Sequence, residues 1–143
     1  MTYMHKLYIF MRSDLDSLNP GKAMAQAVHA GNQLESRYQR VLGNPEHNKF
    51  INGFNNWKNQ AYGFGTTIVL DADEFSDRLK DIAEWLEIDS LQPEFGVILD
   101  PSYPLIDGNK VHLIALDTCA YLFDHGQLQP SERTILETFR LYK

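Results

Sequence analysis

Short apolar runs alternate along the chain with longer stretches in which apolar residues recur at helical spacing. Leu7 to Met11 is an apolar and aromatic run that ends on Arg12, Ser13 and Asp14, as a buried strand does on reaching the edge of a sheet. Three further runs rich in β-branched and aromatic residues predict strands at residues 66–70, 95–99 and 111–116. The third strand is expected to end on Asp100, and residues 101–104 and 120–128 are expected to be a turn and an irregular segment.

Helical periodicity predicts four helices. Asn19 and Pro20 form a cap-and-proline pair, so the first helix is expected to run from Pro20 to about Leu42. A second, shorter helix carries aromatic residues at helical spacing, which is more typical of a core than of a ligand cage: Phe50, Phe54 and Trp57. A third helix is expected over residues 72–86 and a last one from Pro130.

The resulting order is strand, helix, helix, strand, helix, strand, strand, helix. This order predicts an α/β fold, with residues 1–143 forming a single domain around a four-stranded mixed, largely parallel sheet covered by helices on both faces. The connection through residues 107–109 leaves open whether the last two strands form an antiparallel pair. Ligands of parallel sheets gather at the carboxyl ends of strands, so Asp14, Lys22 and Asp100 are expected on one rim.

Composition limits the compartment and the class of protein. A chain of 143 residues with 43% hydrophobic content can bury a core without a metal or a disulfide. Cys119 is the only cysteine, which excludes an intrachain disulfide and favours a reducing, cytoplasmic setting. No apolar stretch approaches the ~20 residues needed to span a bilayer, so we expect a protein that is neither secreted nor membrane-embedded.

The net charge of −6 is unevenly distributed. Residues 71–100 carry ten acidic and two basic side chains, whereas residues 1–70 carry seven basic and four acidic ones. If the acidic segment is an outer helix, the opposite part of the molecule can present a positive face to a phosphate backbone. The basic residues expected on that face are Lys22, Arg12, Arg37 and Arg40.

One polar stripe interrupts the alanine-rich first helix. Lys22, Gln26, His29 and Gln33 fall at i, i+4, i+7 and i+11, which places them on one helical face. The surrounding residues are mostly alanines, which let a helix lie close to a sheet. The long polar side chains then stand beside the turn at the strand end and are expected to form the wall of a pocket.

Two segments carry a family resemblance. Residues 12–15, with the sequence Arg-Ser-Asp-Leu, and residues 21–30, with the sequence Gly-Lys-Ala-Met-Ala-Gln-Ala-Val-His-Ala, resemble the signature of the type 2 peptidyl-tRNA hydrolases. A later strand ending in Asp100 and the same order of elements extend the resemblance over nearly the whole chain. It implies hydrolysis of the ester between a peptide and the terminal ribose of tRNA, without a metal or cofactor. Because members of the family often dimerise, a homodimer is a further expected partner, beside peptidyl-tRNA or another RNA end.

The resemblance also implies the site residues. The catalytic candidates are Lys22, Asp100 and His29, and the substrate-binding candidates are Gln26, Asp14, Arg12 and Ser102. A lysine in the first turn of a helix can bind a phosphate or an oxyanion. Asp100 can orient or deprotonate a water, while His29 can move a proton or orient a partner.

Three segments depart from the family pattern. The position of an active-site threonine after the third strand holds Pro104, so Ser102 or Tyr103 would have to supply a hydroxyl or that part of the mechanism is missing. Residues 16–20, immediately before Gly21, contain none of the basic residues that the family has there, and residues 116–119 replace a turn rich in glycine and proline.

Two other readings stay open at this point. The first is a binding module without catalysis that holds RNA, a nucleotide or a protein on the same fold. The second is a metal-dependent hydrolase, although the chain lacks helical metal-binding spacing. Its candidate ligands are His112, Asp117, His125 and Asp124.

Overall fold

The computed structural model describes residues 5–89 and 92–143 of the chain. The elements follow in the order β1 (Lys6–Met11), α1 (Pro20–Val41), α2 (Asn48–Asn59), β2 (Thr67–Asp71), α3 (Asp81–Trp85), β3 (Phe95–Asp107), β4 (Lys110–Asp124) and α4 (Pro130–Leu136). Short 3-10 helices lie at Pro45–His47, Ala61–Gly63 and Asp73–Phe75. The predicted succession of strands and helices in an α/β fold is confirmed.

The sheet is mixed, with the strand order β2-β1-β4-β3. Only β1 and β2 are parallel, whereas β4 is antiparallel to both β1 and β3. The prediction of a largely parallel sheet was therefore wrong. The reason lies in the connection between β3 and β4, where Asp107 pairs with Lys110 and Gly108 has a φ of +62°. A two-residue connection of this kind joins only antiparallel strands.

The last two strands are longer than predicted. β3 continues past Asp100 through the expected turn at residues 101–104, and β4 includes residues 120–124 of the expected irregular segment. Pro101 and Pro104 are tolerated because β3 is an edge strand, where a missing backbone donor leaves no gap in the ladder. β4 lies between β1 and β3, which makes its second half the buried centre of the sheet.

Helices cover both faces of the sheet, each over its own hydrophobic cluster. The cluster under α1 and α2 is built mainly from the sheet residues Leu7, Ile9, Met11, Ile98, Tyr103, Cys119, Tyr121 and Phe123 and the helix residues Ala23, Ala30, Leu34, Phe50, Phe54 and Trp57. The cluster under α3 and α4 contains Phe10, Leu70, Ala120 and Leu122 from the sheet and Ile82, Ala83 and Leu136 from the helices. Odd and even positions of β1 thus serve opposite cores, as strand alternation requires.

Helix α1 begins as the sequence predicted. The side-chain oxygen of Asn19 accepts a hydrogen bond of 2.9 Å from the backbone N–H of Lys22, and Pro20 occupies the first helical position. The buried stripe of the helix consists of Ala23, Gln26, Ala30 and Leu34. Gln26 is the one polar member of that stripe, which brings its amide under the helix and against the sheet.

The predicted third helix is only partly formed. Asp73 has a φ of +50°, and its backbone N–H donates to the Asp71 carboxylate at 2.8 Å, so the chain makes a tight turn where the helix was expected to begin. Regular α-helix is confined to Asp81–Trp85. The apolar residues of the predicted helix are nevertheless buried: Phe75, Leu79, Ile82 and Leu86.

The chain after α4 leaves the helical conformation and pairs with the sheet. Leu141 forms an isolated antiparallel bridge with Leu70, and the backbone N–H of Tyr142 donates to the Val69 carbonyl at 3.0 Å. The end of the chain thereby covers the outer edge of β2. Among the described residues, no helix has the length and apolar character required to cross a membrane.

Two helical glycines give a matched test of this packing. A Cβ at Gly53 would lie 2.4 Å from the Cβ of His125, whereas a Cβ at Gly31 meets no atom within 4 Å. We expect Gly53→Ala to lower the free energy of unfolding by about 1–3 kcal/mol because neighbouring backbone must move. Gly31→Ala should raise it by about 0.5–1 kcal/mol, since alanine loses less conformational entropy in a helix. Urea denaturation measures both, and equal effects would contradict the packing of α2.

Candidate functional site

A β-bulge in β4 lies next to the candidate site. Ile98 pairs with Cys119 and Leu99 pairs with Asp117, so Thr118 is an extra residue without a partner in the ladder. A second irregularity follows on β3 between Asp100 and Tyr103. Bulges re-aim side chains relative to the regular alternation of a strand. Here the bulge turns the Thr118 hydroxyl toward α1.

Three side chains then form a continuous series of hydrogen bonds. The hydroxyl of buried Thr118 donates to Gln26 Oε1 at 2.7 Å, and Gln26 Nε2 donates to Asp100 Oδ2 at 2.9 Å. Because the Gln26 carbonyl oxygen is occupied by the threonine, the NH₂ group must face the carboxylate. The orientation of the amide is therefore fixed from β4, and the carboxylate of β3 is held against α1.

Asp100 is stabilised in its ionised form. The backbone N–H of Ser102 donates to Asp100 Oδ1 at 2.9 Å. This bond, the Gln26 amide and the His29 imidazole in its protonated form each lower the pKa of the Asp100 carboxyl below its ordinary value, although partial burial opposes them. Asp100 is thus a carboxylate at neutral pH that can orient a water or a cation. It is a weaker base than an ordinary aspartate.

Lys22 stands at the start of α1 beside β3. Its Nζ lies 5.4 Å from the centre of the Tyr103 ring, at the distance of a cation–π contact. The buried Tyr103 is anchored by a hydrogen bond of 3.0 Å between its hydroxyl and that of Ser17. The ammonium is therefore placed at the positive end of a 22-residue helix, where an anion would be favoured.

Arg12 and Asp14 are bound to each other. The guanidinium makes two hydrogen bonds of 2.8 and 2.9 Å to the carboxylate and a third of 3.0 Å to the Asp117 carbonyl. The side-chain hydrogen bonds from Arg12 lower the pKa of Asp14. Arg12 is only 8% exposed, so this pair ties the turn after β1 to the residue preceding Thr118. The Arg12–Asp14 pair therefore has a structural role beside the site.

The expected positive face is smaller than predicted. Arg37 donates to the carbonyls of Gln92 and Phe95 and lies 5.5 Å from the Tyr121 ring. Arg12 is buried and Arg37 is half-buried with its guanidinium bound to backbone carbonyls, whereas Arg40 is exposed and Lys22 is half-buried.

Thr118 was missed by the sequence analysis. The residues 116–119 were noted there only as a departure from a family pattern. The available signal was a threonine within a run that is otherwise apolar from residue 118 to residue 123. Neighbouring Cys119 is not a nucleophile of this site, because burial raises the pKa of its thiol to about 12.

The alternative metal ligands are not brought together. Asp124 pairs with Arg133 at 3.1 Å, His125 with Glu94 at 3.2 Å, and the His112 imidazole lies 3.9 Å from the Asp107 carboxylate. Within residues 5–89 and 92–143, no three histidine, cysteine or acidic side chains are grouped so that they could hold a metal ion.

Comparison with known proteins gives no identification. No protein-family model matches this chain, and no curated protein matches it either.

Removal of the Thr118 hydroxyl should destabilise the protein. Thr118→Val keeps the shape of the side chain but leaves buried Gln26 Oε1 without its donor, so we expect a loss of about 1–3 kcal/mol in the free energy of unfolding. The matched control is Thr134→Val, which removes an exposed bond to the Pro130 carbonyl and should change stability by less than about 0.5 kcal/mol. Urea denaturation measures the free energy of unfolding of both variants. Equal losses in the two variants would contradict the buried hydrogen bond from Thr118 to Gln26.

The protonation of Asp100 should depend on Gln26. In the native protein, carboxyl ¹³C NMR should show the Asp100 pKa below the ordinary value of 3.8. In Gln26→Leu, the loss of a donor to the charged form should raise that pKa, so that protonation begins at higher pH. Asp14 provides an internal reference, because its pKa is lowered mainly by Arg12. An unchanged Asp100 titration would show that the amide is not its partner in solution.

Proposed function

We propose that this chain is a metal-independent ester hydrolase that releases tRNA from peptidyl-tRNA or cleaves a closely related acylated RNA end. The observation that supports this best is the series of hydrogen bonds from Thr118 through Gln26 to Asp100. The resemblance of residues 12–15 and 21–30 to the type 2 peptidyl-tRNA hydrolases supports the same activity. It would make the protein a divergent member of that family.

In this proposal, Asp100 orients the attacking water. Because its pKa is lowered, Asp100 stays ionised and accepts hydrogen bonds, but it is a poor proton acceptor. His29 lies close enough to Asp100 to influence its pKa. The imidazole of His29 accepts the water proton as the oxygen attacks the ester carbonyl, and returns it to the ribose oxygen when the ester bond breaks.

Lys22 stabilises the negative charge of the reaction. The tetrahedral intermediate carries an oxyanion, and an ammonium group at a helix start favours charge at that place. The Tyr103 ring holds the ammonium beside β3 instead of leaving it free in solvent. Gln26 holds one oxygen of the Asp100 carboxylate in place beside the substrate. The Ser102 backbone N–H holds the other oxygen.

The departure at Pro104 is compatible with this arrangement. Proline has no hydroxyl, and Pro104 lies in β3 paired with Leu113. Thr118 offers a hydroxyl from the adjacent strand, already bonded to Gln26. We infer that Thr118 contributes to the site by fixing Gln26, because its buried hydroxyl donates to that side chain.

A binding module without catalysis is the second candidate, and two observations favour it. The lowered pKa of Asp100 weakens it as a base, and the amide of Gln26 is already engaged at both ends by Thr118 and Asp100. A site of this kind holds the RNA end without turning it over. Both candidate functions require binding of the RNA end, but only the hydrolase releases tRNA.

The test is release of tRNA from an N-acetylated aminoacyl-tRNA by the purified chain in the presence of a metal chelator. Lys22→Ala and Asp100→Asn should each lower kcat/KM by about 100-fold or more, because each removes a charge acting on the reacting ester. Lys58→Ala removes an exposed charge at the end of α2 and should leave the rate unchanged.

The outcomes separate the candidates. Binding of the RNA without release would favour the binding module, whereas neither binding nor release would contradict both. Loss of release on chelation would show that a metal takes part.

A further inference from the structure

Two aromatic side chains stand in solvent on residues 60–65, the segment between α2 and β2 that we call the aromatic loop. Tyr62 is fully exposed and Phe64 is 81% exposed, so the fold uses almost none of the surface of either ring. A pair of large exposed apolar side chains on one short loop is informative where a single one would be ordinary. The two rings are therefore candidates for contact with a partner.

The backbone of the aromatic loop is strained and closely tied. Ala61 and Tyr62 have φ values of +49° and +60°, a region that residues with a side chain seldom adopt. The backbone N–H groups of Gly63 and Gly65 both donate to the Gln60 carbonyl, at 2.9 and 3.2 Å. Strain of this kind persists only where the surrounding structure imposes it, and it is concentrated at functional segments.

A buried indole supports the loop from below. A Cβ at Gly65 would come within 2.3 Å of the Trp57 ring, so the backbone lies directly on that side chain. The indole N–H of Trp57 donates to the Thr66 carbonyl at 2.8 Å. These contacts fix the loop on α2 while its two aromatic residues remain exposed.

A polar stripe on α2 leads to the aromatic loop. Lys49, Asn52, Asn56 and Asn59 fall at i, i+3, i+7 and i+10, which places them on one face of the helix, and all four are exposed. The stripe is about 15 Å long, at ~1.5 Å of rise per residue. Amide side chains can both donate and accept hydrogen bonds, as the edges of nucleobases require.

A cavity of about 470 Å³ lies beside the stripe, between α2 and the chain that follows β4. Among the described residues, no carboxylate lines it. Its polar lining consists of imidazole, amide and ammonium groups, contributed by His5, Lys49, Asn52, Asn56, His125 and Gln127.

Charge separates this region from its surroundings. Residues 47–70 contain no acidic residue, although the whole chain has 19. The adjoining larger cavity, of about 860 Å³, is instead lined by many carboxylates: Glu46, Glu87, Asp89, Glu94 and Glu132. A polyanion is repelled from that cavity and meets no such repulsion along the stripe of α2.

We propose that the stripe, the cavity beside it and the aromatic loop, together called the α2 surface, bind an unpaired nucleic-acid strand. Tyr62 and Phe64 stack on bases, the asparagine amides bond to base edges, and Lys49 contacts a phosphate. A protein partner fits this surface less well, because the centre of a protein interface is more apolar and is depleted in lysine.

The α2 surface lies away from the candidate site. β1 and β2 are parallel, and the aromatic loop precedes β2, whereas the turn with Arg12 and Asp14 follows β1. The two regions therefore lie at opposite ends of the sheet, separated by about 17 Å along five paired residues at ~3.3 Å each. The inference goes beyond the proposed ester hydrolysis and holds whether or not the chain cleaves an ester.

Fluorescence anisotropy of a labelled RNA strand of about 12 nucleotides, titrated with the full chain, tests the proposal. In about 50 mM salt we expect a dissociation constant of about 1–100 μM. The same strand annealed to its complement should bind at least about 10-fold more weakly, because paired bases offer no free ring face. A DNA strand of equal sequence shows whether 2′-hydroxyl groups add to the contacts with bases and phosphates.

Substitutions at Phe64 separate stacking from general apolar contact. Phe64→Leu keeps an apolar side chain without an aromatic face and should raise the dissociation constant about 5–30-fold, whereas Phe64→Tyr should stay within about 2-fold of the native chain. Leu113→Ser is the matched control, since Leu113 is 69% exposed on β4 at the other end of the sheet. Circular dichroism checks that the variants are folded. A native chain without affinity for the single strand, or Phe64→Leu binding as tightly as Phe64→Tyr, would overturn the proposal.

The dependence on salt tests the role of Lys49. Lys49→Gln should reduce the slope of log Kd against log salt concentration by about 0.7, the contribution of one phosphate contact to a single strand. Lys110→Gln, at the exposed tip of the hairpin of β3 and β4, should leave the slope unchanged. Equal slopes for Lys49→Gln and the native chain would show that the strand does not follow the stripe of α2.

Discussion

The structure depends on a buried amide. Gln26 is the one polar residue in the buried stripe of α1, and an unsatisfied amide in that position would cost about 1–3 kcal/mol. Both of its ends are satisfied from the sheet, one by Thr118 of β4 and the other by Asp100 of β3. A single side chain therefore links the helix, the bulge and the edge strand. The same interaction that stabilises the fold orients the carboxylate of the candidate site.

The chemistry of the site follows from the two roles of Gln26, which stabilises the fold and orients Asp100. Asp100 receives two hydrogen bonds, which favour its ionised form and make it an orienting group in place of a strong base. A lysine, held by an aromatic ring at the start of α1, and a histidine one turn beyond Gln26 are the basic side chains nearby. This combination suits the hydrolysis of an ester next to phosphate groups, which is why we propose acylated RNA as the substrate. The internal engagement of Arg12 and Arg37 leaves fewer cations for the RNA than the sequence suggested.

The hairpin of β3 and β4 has two faces of different character. The face toward α1 contributes Asp100 and Tyr103 to the site, whereas the opposite face is apolar and exposed at Leu99, Ile106, Val111 and Leu113. One bulge directs the Thr118 hydroxyl to Gln26, and the other interrupts the edge of β3.

The sequence alone determined the local elements whose signals lie within a few residues. The cap at Asn19, the aromatic face of α2 and the order of strands and helices were all predicted, because capping and periodicity are properties of short segments. The spacing of Lys22, Gln26 and His29 was noted for the same reason, whereas the burial of Gln26 beside an exposed His29 was not predicted.

Only the tertiary structure decided strand direction, the length of the hairpin and the contribution of Thr118. Proline in β3 reads locally as a turn, and it is tolerated in a strand only because that strand lies at an edge. The bulge at Thr118 is defined by pairing with residues 98 and 99, far away in the sequence, so no periodicity in β4 could reveal it. Long-range register is set by packing between elements, and packing is what a local pattern does not encode.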